Sequence, residues 1–342
     1  MLEISYLPFI TLLIVVRNER SYIQKSLNSL LNQTYPKELI EIIIVDGMSS
    51  DGTRELVKKV IEELRRTGIS ISMINNPQYI LASGWNIGIK NAKGEIVCRI
   101  DTHSEIYPDY VEIGVRELLK RKEEKVVCVG GVLENVGDGK IGESIADLFS
   151  SKFGVGNSAF RTGVKEPKYT DTAVFGLYWK WIFDEIGYFN EALKRNQDID
   201  LHDRILKLGY KFLTHPDMKI KYYVRNNISG LIKKAFGDGY WVVASSRSYL
   251  RHKVPFYFVL YLLSLLFIIL ITNSTNLLWI RYIYMMPLII YTLFLFFFSI
   301  KDGKSLIRKL LLLFLFPIFH ISYGLGSFKA LLDRYILERV KE

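Results

Sequence analysis

The chain has 342 residues, of which 49% are hydrophobic, and 45 Lys and Arg against 35 Asp and Glu give a formal net charge of +10. That length supports about two domains, and so apolar a composition excludes a disordered chain. The basic excess does not point to nucleic acid: Lys233, Lys234, Arg247, Arg251 and Lys253, then Lys301, Lys304, Arg308 and Lys309, gather around long apolar blocks, where anionic lipid headgroups are the fitting partner. The two cysteines, Cys98 and Cys128, lie in apolar runs without ligand spacing, which favours a structural role and a reducing compartment.

In chain order, the opening run MLEISYLPFITLLIVV lacks a basic leader region and passes straight into patterned sequence, so it reads as a first strand and places the first domain in the cytoplasm. Ile10 to Val16 is β-rich and apolar; after the polar Arg17-Asn18-Glu19 a helix is predicted through Ile23, Leu27, Leu30 and Leu31. The unit recurs with a strand from Ile40 to Val45 and a helix from Thr53 to about Arg66, then Ile69 to Ile74 with Ser83 to Asn91, then Ile96 to Ile100 with a helix after Pro108. Fully apolar strands alternating with helices imply a mainly parallel sheet covered on both faces, the α/β class. Ligands of such sheets bind beyond the carboxyl ends of the strands, so the polar clusters at 17–19, 46–51 and 101–104 should converge on one edge.

Residues 131–225 are less regular. Residues 228–250 mix apolar and basic positions, as a helix lying along a membrane does, or one packed on the catalytic domain. Three apolar blocks follow, 255–272, 277–299 and 310–328, the last interrupted by Pro317, His320, Ser322, Gly324 and Gly326, so that it either spans or re-enters. The resulting division is a catalytic domain over 1–225, an interfacial segment over 226–253, about three membrane helices over 254–328 and a charged tail over 329–342. With the first domain inside, the Asn273 to Asn276 turn lies outside and the basic 301–309 loop inside, in keeping with the positive-inside rule.

Asp101-Thr102-His103, just past a buried strand, offers a carboxylate and an imidazole to a divalent cation and the diphosphate it holds. Asp46 ends the second strand, where a carboxylate accepts from a base N–H or a ribose hydroxyl, whereas Asp51 and Thr53 read as a helix cap. Asp198 stands at a loop-to-helix junction as a candidate base, and Asp203 as a partner of the helix terminus. Gly154 to Ala159 matches GxGxxA but does not follow the first strand of a βαβ unit, and Gly303-Lys304-Ser305 lacks the upstream glycine of a P-loop. His320 reads as a hydrogen-bonded packing residue, and Asn273-Ser274-Thr275 as a chance sequon.

Taken together, Val15-Val16-Arg17-Asn18-Glu19, Ile44-Val45-Asp46-Gly47, Ser50-Asp51-Gly52-Thr53, Asn86-Ile87-Gly88, Arg99-Ile100-Asp101-Thr102-His103, Gly154 to Arg161, Asp171-Thr172 and Arg195-Asn196-Gln197-Asp198 resemble family 2 glycosyltransferases of the GT-A fold, in the membrane-anchored, succinoglycan-type branch. The resemblance implies an inverting transfer of one sugar from a nucleotide-diphosphate sugar, a UDP-sugar being favoured, to a lipid-linked or saccharide acceptor. It assigns donor binding to Arg17, Glu19, Asp46, Asn86 and Asp101, the metal (Mg2+ or Mn2+) to Asp101 and His103, the base to Asp198, and acceptor or diphosphate contacts to Arg161 and Gln197. Departures are Asp-Thr-His in place of DxD, Gln197-Asp198 in place of a Glu-Asp pair, Trp85 in place of an arginine before the Asn-x-Gly motif, and no QxxRW of processive synthases. Two rival readings are a nucleotidyltransferase, which the missing glycine-rich loop disfavours, and a catalytically silent membrane protein that binds nucleotide sugars.

Overall fold

The computed structural model describes residues 6–64, 69–193, 195–244, 250–272 and 278–339. In chain order the elements are β1 (Ile10–Val16), α1 (Arg20–Leu31), β2 (Ile40–Asp46), α2 (Thr53–Leu64), β3 (Ser70–Asn75), α3 (Leu81–Asn91), β4 (Ile96–Asp101), β5 (Ser104–Ile106), α4 (Tyr110–Lys120) and β6 (Val126–Val136). Then come α5 (Gly139–Ser150), α6 (Lys152–Val155), α7 (Ala159–Thr162), β7 (Lys168–Thr170), β8 (Leu177–Trp179), α8 (Trp181–Ile186), α9 (Gln197–Lys207) and β9 (Lys211–Tyr223). Four long helices close the chain: α10 (Ile228–Ala244), α11 (Leu250–Thr272), α12 (Leu278–Asp302) and α13 (Leu306–Arg339). Two compact units result, Met1–Glu134 with Gly163–Tyr223, and Asn135–Thr162 with Val224–Glu342.

The first unit is built on one sheet of order β3-β2-β1-β4-β8-β6-β9-β5, with β7 on β9. The expected parallel core is β3-β2-β1-β4, where Ile10 stands opposite both Ile40 and Ile96. Beyond β4 the sheet turns antiparallel through β8 and β6, so it is mixed. The strands β5, β7 and β8 have three residues each, too few for a hydrophobic period to register. Every position of β1 and β2 is buried, because helices cover both faces, while β3 at the edge alternates with exposed positions. Helix α3 lies close on β1: a Cβ at Gly88 would stand 2.2 Å from Leu13 Cδ1, and one at Gly84 2.5 Å from Val15 Cγ1. Glycine at these two positions sets the height of α3, and with it the loop that precedes the helix. Cys98 and Cys128 are buried free thiols in β4 and β6.

In the second unit α11, α12 and α13 are each long and apolar enough to cross a membrane. Large side chains such as Leu266, Phe267 and Leu270 on α11, and Ile283, Met286 and Leu293 on α12, are more than half exposed or nearly so, a continuous apolar surface that water does not tolerate and lipid does. Helix α13 runs through Pro317 without a break, about 50 Å at 1.5 Å per residue. The glycines that interrupt its apolar pattern are packing positions. A Cβ at Gly326 would stand 2.0 Å from the Phe236 carbonyl oxygen on α10, and one at Gly324 2.3 Å from the Pro255 carbonyl oxygen on α11. Helix α10 answers with Leu231, Ala235 and Val242 buried. His320 bridges Tyr291 (3.1 Å) and the Phe153 carbonyl (2.9 Å), a hydrogen-bonded packing residue. Arg308, expected among the lipid-facing cations, instead clasps the buried Asp147 of α5, with Nε at 2.6 Å from its carboxylate. Arg247, the Asn273 to Asn276 turn with its sequon, and residues 340–342 of the tail lie outside the described residues.

Candidate active site

The loops that leave β1 and β2 are laced to each other. Asn18 N–H donates to Ser49 Oγ and Ser50 N–H to Asn18 Oδ1, each at 2.9 Å, and Glu19 N–H donates to Thr53 Oγ1 at 2.9 Å. Asn18 and Met48 both take positive φ, 55° and 56°, a conformation that asparagine tolerates and methionine adopts only under constraint. Asp51 accepts from the Thr53 hydroxyl and backbone and from Arg20 N–H, and these bonds hold its carboxyl below the ordinary range. Asp51 and Thr53 therefore cap α2 and anchor the neighbouring loop, and that anchoring fixes where Glu19 points.

A cleft of about 250 Å³ opens at the carboxyl ends of the parallel strands. Arg17, Glu19, Asp101 and His103 line it together with Gly47, Asn76, Tyr79 and Leu81. Four sequence-distant stretches thus meet where the sheet rule places a ligand. Glu19 Oε2 lies 3.1 Å from His103 Nε2, the Tyr22 ring packs 4.8 Å from the His103 ring, and the Arg17 guanidinium lies 4.7 Å from the Tyr79 ring centre. Asp46 is fully buried beside this cleft, next to the lining residue Gly47. Its carboxylate accepts from Arg54 and, at 3.2 to 3.3 Å, from Ser49 N–H, and Arg54 also donates to Asn75 Oδ1 at 2.9 Å.

Asp198 lies in the first turn of α9, its side chain 41% exposed and its Oδ2 4.0 Å from Arg99 Nη2. Arg99 precedes Asp101 by two residues on β4, so the two share a face of the strand. Four residues after Asp198, the buried His202 is hydrogen-bonded to the Thr172 hydroxyl through one ring nitrogen (2.8 Å) and to the Tyr178 hydroxyl through the other (2.7 Å), one nitrogen donating and the other accepting. Burial pushes its pKa down to about 3, so the ring is a neutral strut that pins α9 to β8.

Other expected site residues have their side chains engaged elsewhere. Asn86 is buried on α3, accepting from Phe189 N–H at 2.9 Å and donating to the Phe189 carbonyl at 2.9 Å and to Glu191 at 2.7 Å. Gln197 donates to the Leu193 carbonyl at 2.9 Å and so shapes the turn before Asp198. Arg161 belongs to the second unit, with its guanidinium 5.1 Å from the Phe149 ring and 5.5 Å from the Phe160 ring. Sequence reasoning missed Asn76, Tyr79, Arg54 and Arg99. The first two follow β3 and were reachable by the same strand-end rule, and Arg99 is a charge inside an apolar strand, itself a signal.

Among the described residues no three His, Cys, Asp or Glu side chains gather as a self-sufficient metal site. The donor set at the cleft nevertheless fits a divalent cation bound through a nucleotide. Asp101 and His103 offer one carboxylate and one imidazole, and such cations take few protein ligands when phosphate oxygens and water complete the sphere. Glu19 on Nε2 orients the His103 ring, as a carboxylate behind a ligating histidine does.

Comparison with known proteins gives a consistent result. The family model "Glycosyl transferase family 2" matches residues 11–186. A Methanococcus voltae protein, dolichyl N-acetyl-alpha-D-glucosaminyl phosphate 3-beta-D-2,3-diacetamido-2,3-dideoxy-beta-D-glucuronosyltransferase, is 30% identical over 95% of this chain and 97% of its own length. The succinoglycan biosynthesis protein ExoA of Rhizobium meliloti is 27% identical over 69% of this chain and 68% of its own. Among solved structures, a mannosyltransferase from Pyrobaculum calidifontis in complex with GDP-Man and Mn2+ superposes with a TM-score of 0.58 at 17% identity, covering 96% of this chain and 88% of the other, a likeness of fold.

Proposed function

The chain belongs to the family 2 glycosyltransferases, with the GT-A fold, and on that premise we propose that it moves a single sugar, with inversion, from a nucleotide-diphosphate sugar to a lipid-linked or saccharide acceptor at the cytoplasmic face of a membrane. Its place in glycan or polysaccharide biosynthesis follows from the relatives. The observation that carries the proposal is the meeting of Arg17, Glu19, Asp101 and His103 in one cleft at the carboxyl ends of β1 and β4. The nucleoside lies toward Arg17 and Tyr79 and the diphosphate toward Asp101 and His103. A UDP-sugar is the favoured donor.

Asp101 and His103 would hold the divalent cation, Mg2+ or Mn2+, which supplies positive charge for the departing diphosphate. Asp198 takes the proton of the acceptor hydroxyl while that oxygen attacks the anomeric carbon opposite the leaving group, so the configuration inverts. Exposure of nearly half its side chain leaves this carboxylate accessible to an acceptor. Asp46, held by Arg54, sets the nucleoside end of the cleft.

Three membrane helices keep the enzyme beside a lipid-borne acceptor, and the name of the Methanococcus voltae relative, which specifies a dolichyl phosphate sugar, supports that class. Lys301 at the end of α12, Lys304 in the connection and Lys309 in the first turn of α13 support an inside position for that connection, facing anionic headgroups. Residues 1–225 form the proposed catalytic region and 254–328 the membrane region, with 226–253 at the interface.

The test is a panel of UDP-glucose, UDP-N-acetylglucosamine, UDP-glucuronate and GDP-mannose offered to the detergent-purified chain with Mn2+ or Mg2+ and a polyprenyl-phosphate sugar lipid extract. Release of nucleoside diphosphate together with label entering the lipid phase is expected for one donor. Asp198→Asn should lower turnover roughly a hundredfold or more while donor affinity stays near wild type. Turnover equal to wild type in that variant removes Asp198 from the mechanism.

A further inference from the structure

Arg99 is the one cation inside β4, and its surroundings are those of a support rather than of a ligand group. Its side chain is 12% exposed, with the guanidinium 5.2 Å from the Trp85 ring centre and 5.6 Å from that of Phe189. The two rings form an aromatic cage that favours a cation over bare apolar surroundings. Phe189 is itself held in place, since both its backbone groups are bonded to the Asn86 amide. Inside this cage Nε is buried without a hydrogen-bond partner, and the carboxylates that act on the guanidinium are Asp198 and Asp101.

A buried guanidinium with an orphaned N–H costs stability, so its retention calls for a return elsewhere. The contact with Asp198 supplies a candidate. At 4.0 Å the separation is too long for a hydrogen bond, so it steers the carboxylate while leaving Oδ2 open to an incoming hydroxyl; Oδ1 accepts from Ile199 N–H at 3.0 Å. A direct bidentate pair would occupy the lone pairs a base needs.

We propose that Arg99 is a positioning residue for sugar transfer: caged by Trp85 and Phe189, its guanidinium holds the Asp198 carboxylate over the end of β4 in the orientation that receives the acceptor proton. Arg99 acts through Asp198 and touches neither substrate. This inference rests on the reading of Asp198 as the base.

The experiment is a double-mutant cycle on the full chain, with the active donor of the panel above and the polyprenyl-phosphate sugar extract as acceptor. Arg99→Met should lower kcat on the order of a hundredfold, with donor KM unchanged, because misplacement of the base affects the chemical step. Arg99→Lys, which keeps the charge and loses the planar fork, should recover part of that loss. In an Asp198→Asn background Arg99→Met should cost nothing further, since no base remains to be positioned. Where Arg99→Met fails to fold, Phe189→Leu opens one wall of the cage and carries the same cycle, with a smaller kcat loss that also vanishes in Asp198→Asn. Equal losses in both backgrounds, or a raised donor KM with kcat retained, overturn the proposal. Wild-type turnover by Asp198→Asn is a separate outcome, which overturns the base reading itself and this inference with it.

Discussion

Asn86 offers a direct choice between two roles, donor contact and internal clamp, and Asn86→Ala separates them. Its amide closes three hydrogen bonds to a segment 103 residues away: Phe189 N–H and carbonyl at 2.9 Å each, and Glu191 at 2.7 Å. Alanine leaves a buried N–H and a buried carbonyl of Phe189 without partners, at about 1–3 kcal/mol for each orphaned group. Allowing for relaxation of the loop, the loss is about 2–4 kcal/mol. In a unit of nearly two hundred residues each kcal/mol moves the melting temperature by about 2–4 °C, so a drop of roughly 4–16 °C is expected in thermal unfolding of the detergent-solubilised chain. Donor KM should stay within about twofold, because Asn86 is not among the residues lining the cleft. The kcat should fall, since Phe189 loses its fixed position against Arg99. Asn86→Asp should fare no better: it discards both donated bonds and sets a carboxylate against Glu191. An unchanged melting temperature together with a tenfold rise in donor KM would refute the clamp and return Asn86 to the donor.

Three further outcomes are expected. Chelation should abolish transfer and Mn2+ or Mg2+ should restore it, whereas in Asp101→Asn addition of metal should restore little; undiminished turnover in excess chelator would contradict a cation at Asp101 and His103. Gly326→Leu drives a side chain into the Phe236 carbonyl, 2.0 Å from the ideal Cβ position, so α13 must move off α10, and size-exclusion and melting profiles in detergent should show a destabilised chain; a wild-type profile would contradict the close crossing. The folded-state pKa of His202 lies below its ordinary 6.5, so the unfolded chain takes up that proton first, and falling pH favours unfolding between about 6.5 and about 3. Replacing it, as in His202→Gln, should flatten that part of the stability profile seen by pH-dependent melting; an unchanged acid slope would show that other groups set it.

What the sequence could reveal divides along a physical line. β1 and β2 are seven-residue apolar runs buried on both faces, and such runs announce themselves, as do the polar residues that end them. The strand-end rule therefore located Arg17, Glu19, Asp101 and His103 before any coordinates, and the same rule applied after β3 would have added Asn76 and Tyr79. Three-residue strands carry no period, which is why the antiparallel half of the sheet was not visible. Nor does the local pattern tell a glycine that breaks a helix from one that lets two helices touch: Gly324 and Gly326 read as interruptions, yet each lies under a backbone carbonyl of a neighbouring helix.

The roles of polar side chains were least legible where their partners are most distant in sequence. Asn86 and Phe189 are 103 residues apart and Asp147 and Arg308 are 161 apart, and no local window contains either pairing. A polar residue next to a motif is equally consistent with touching the ligand and with holding the residue that does. The deciding quantity is whether its donors and acceptors are already satisfied by protein. Asn86 is buried and bonded through both ends of its amide, whereas the Asp198 carboxylate is 41% exposed, with Oδ1 accepting from Ile199 N–H and Oδ2 4.0 Å from Arg99 Nη2. Residues offered by sequence as equal candidates therefore differ in how far the rest of the fold has already claimed their hydrogen bonds.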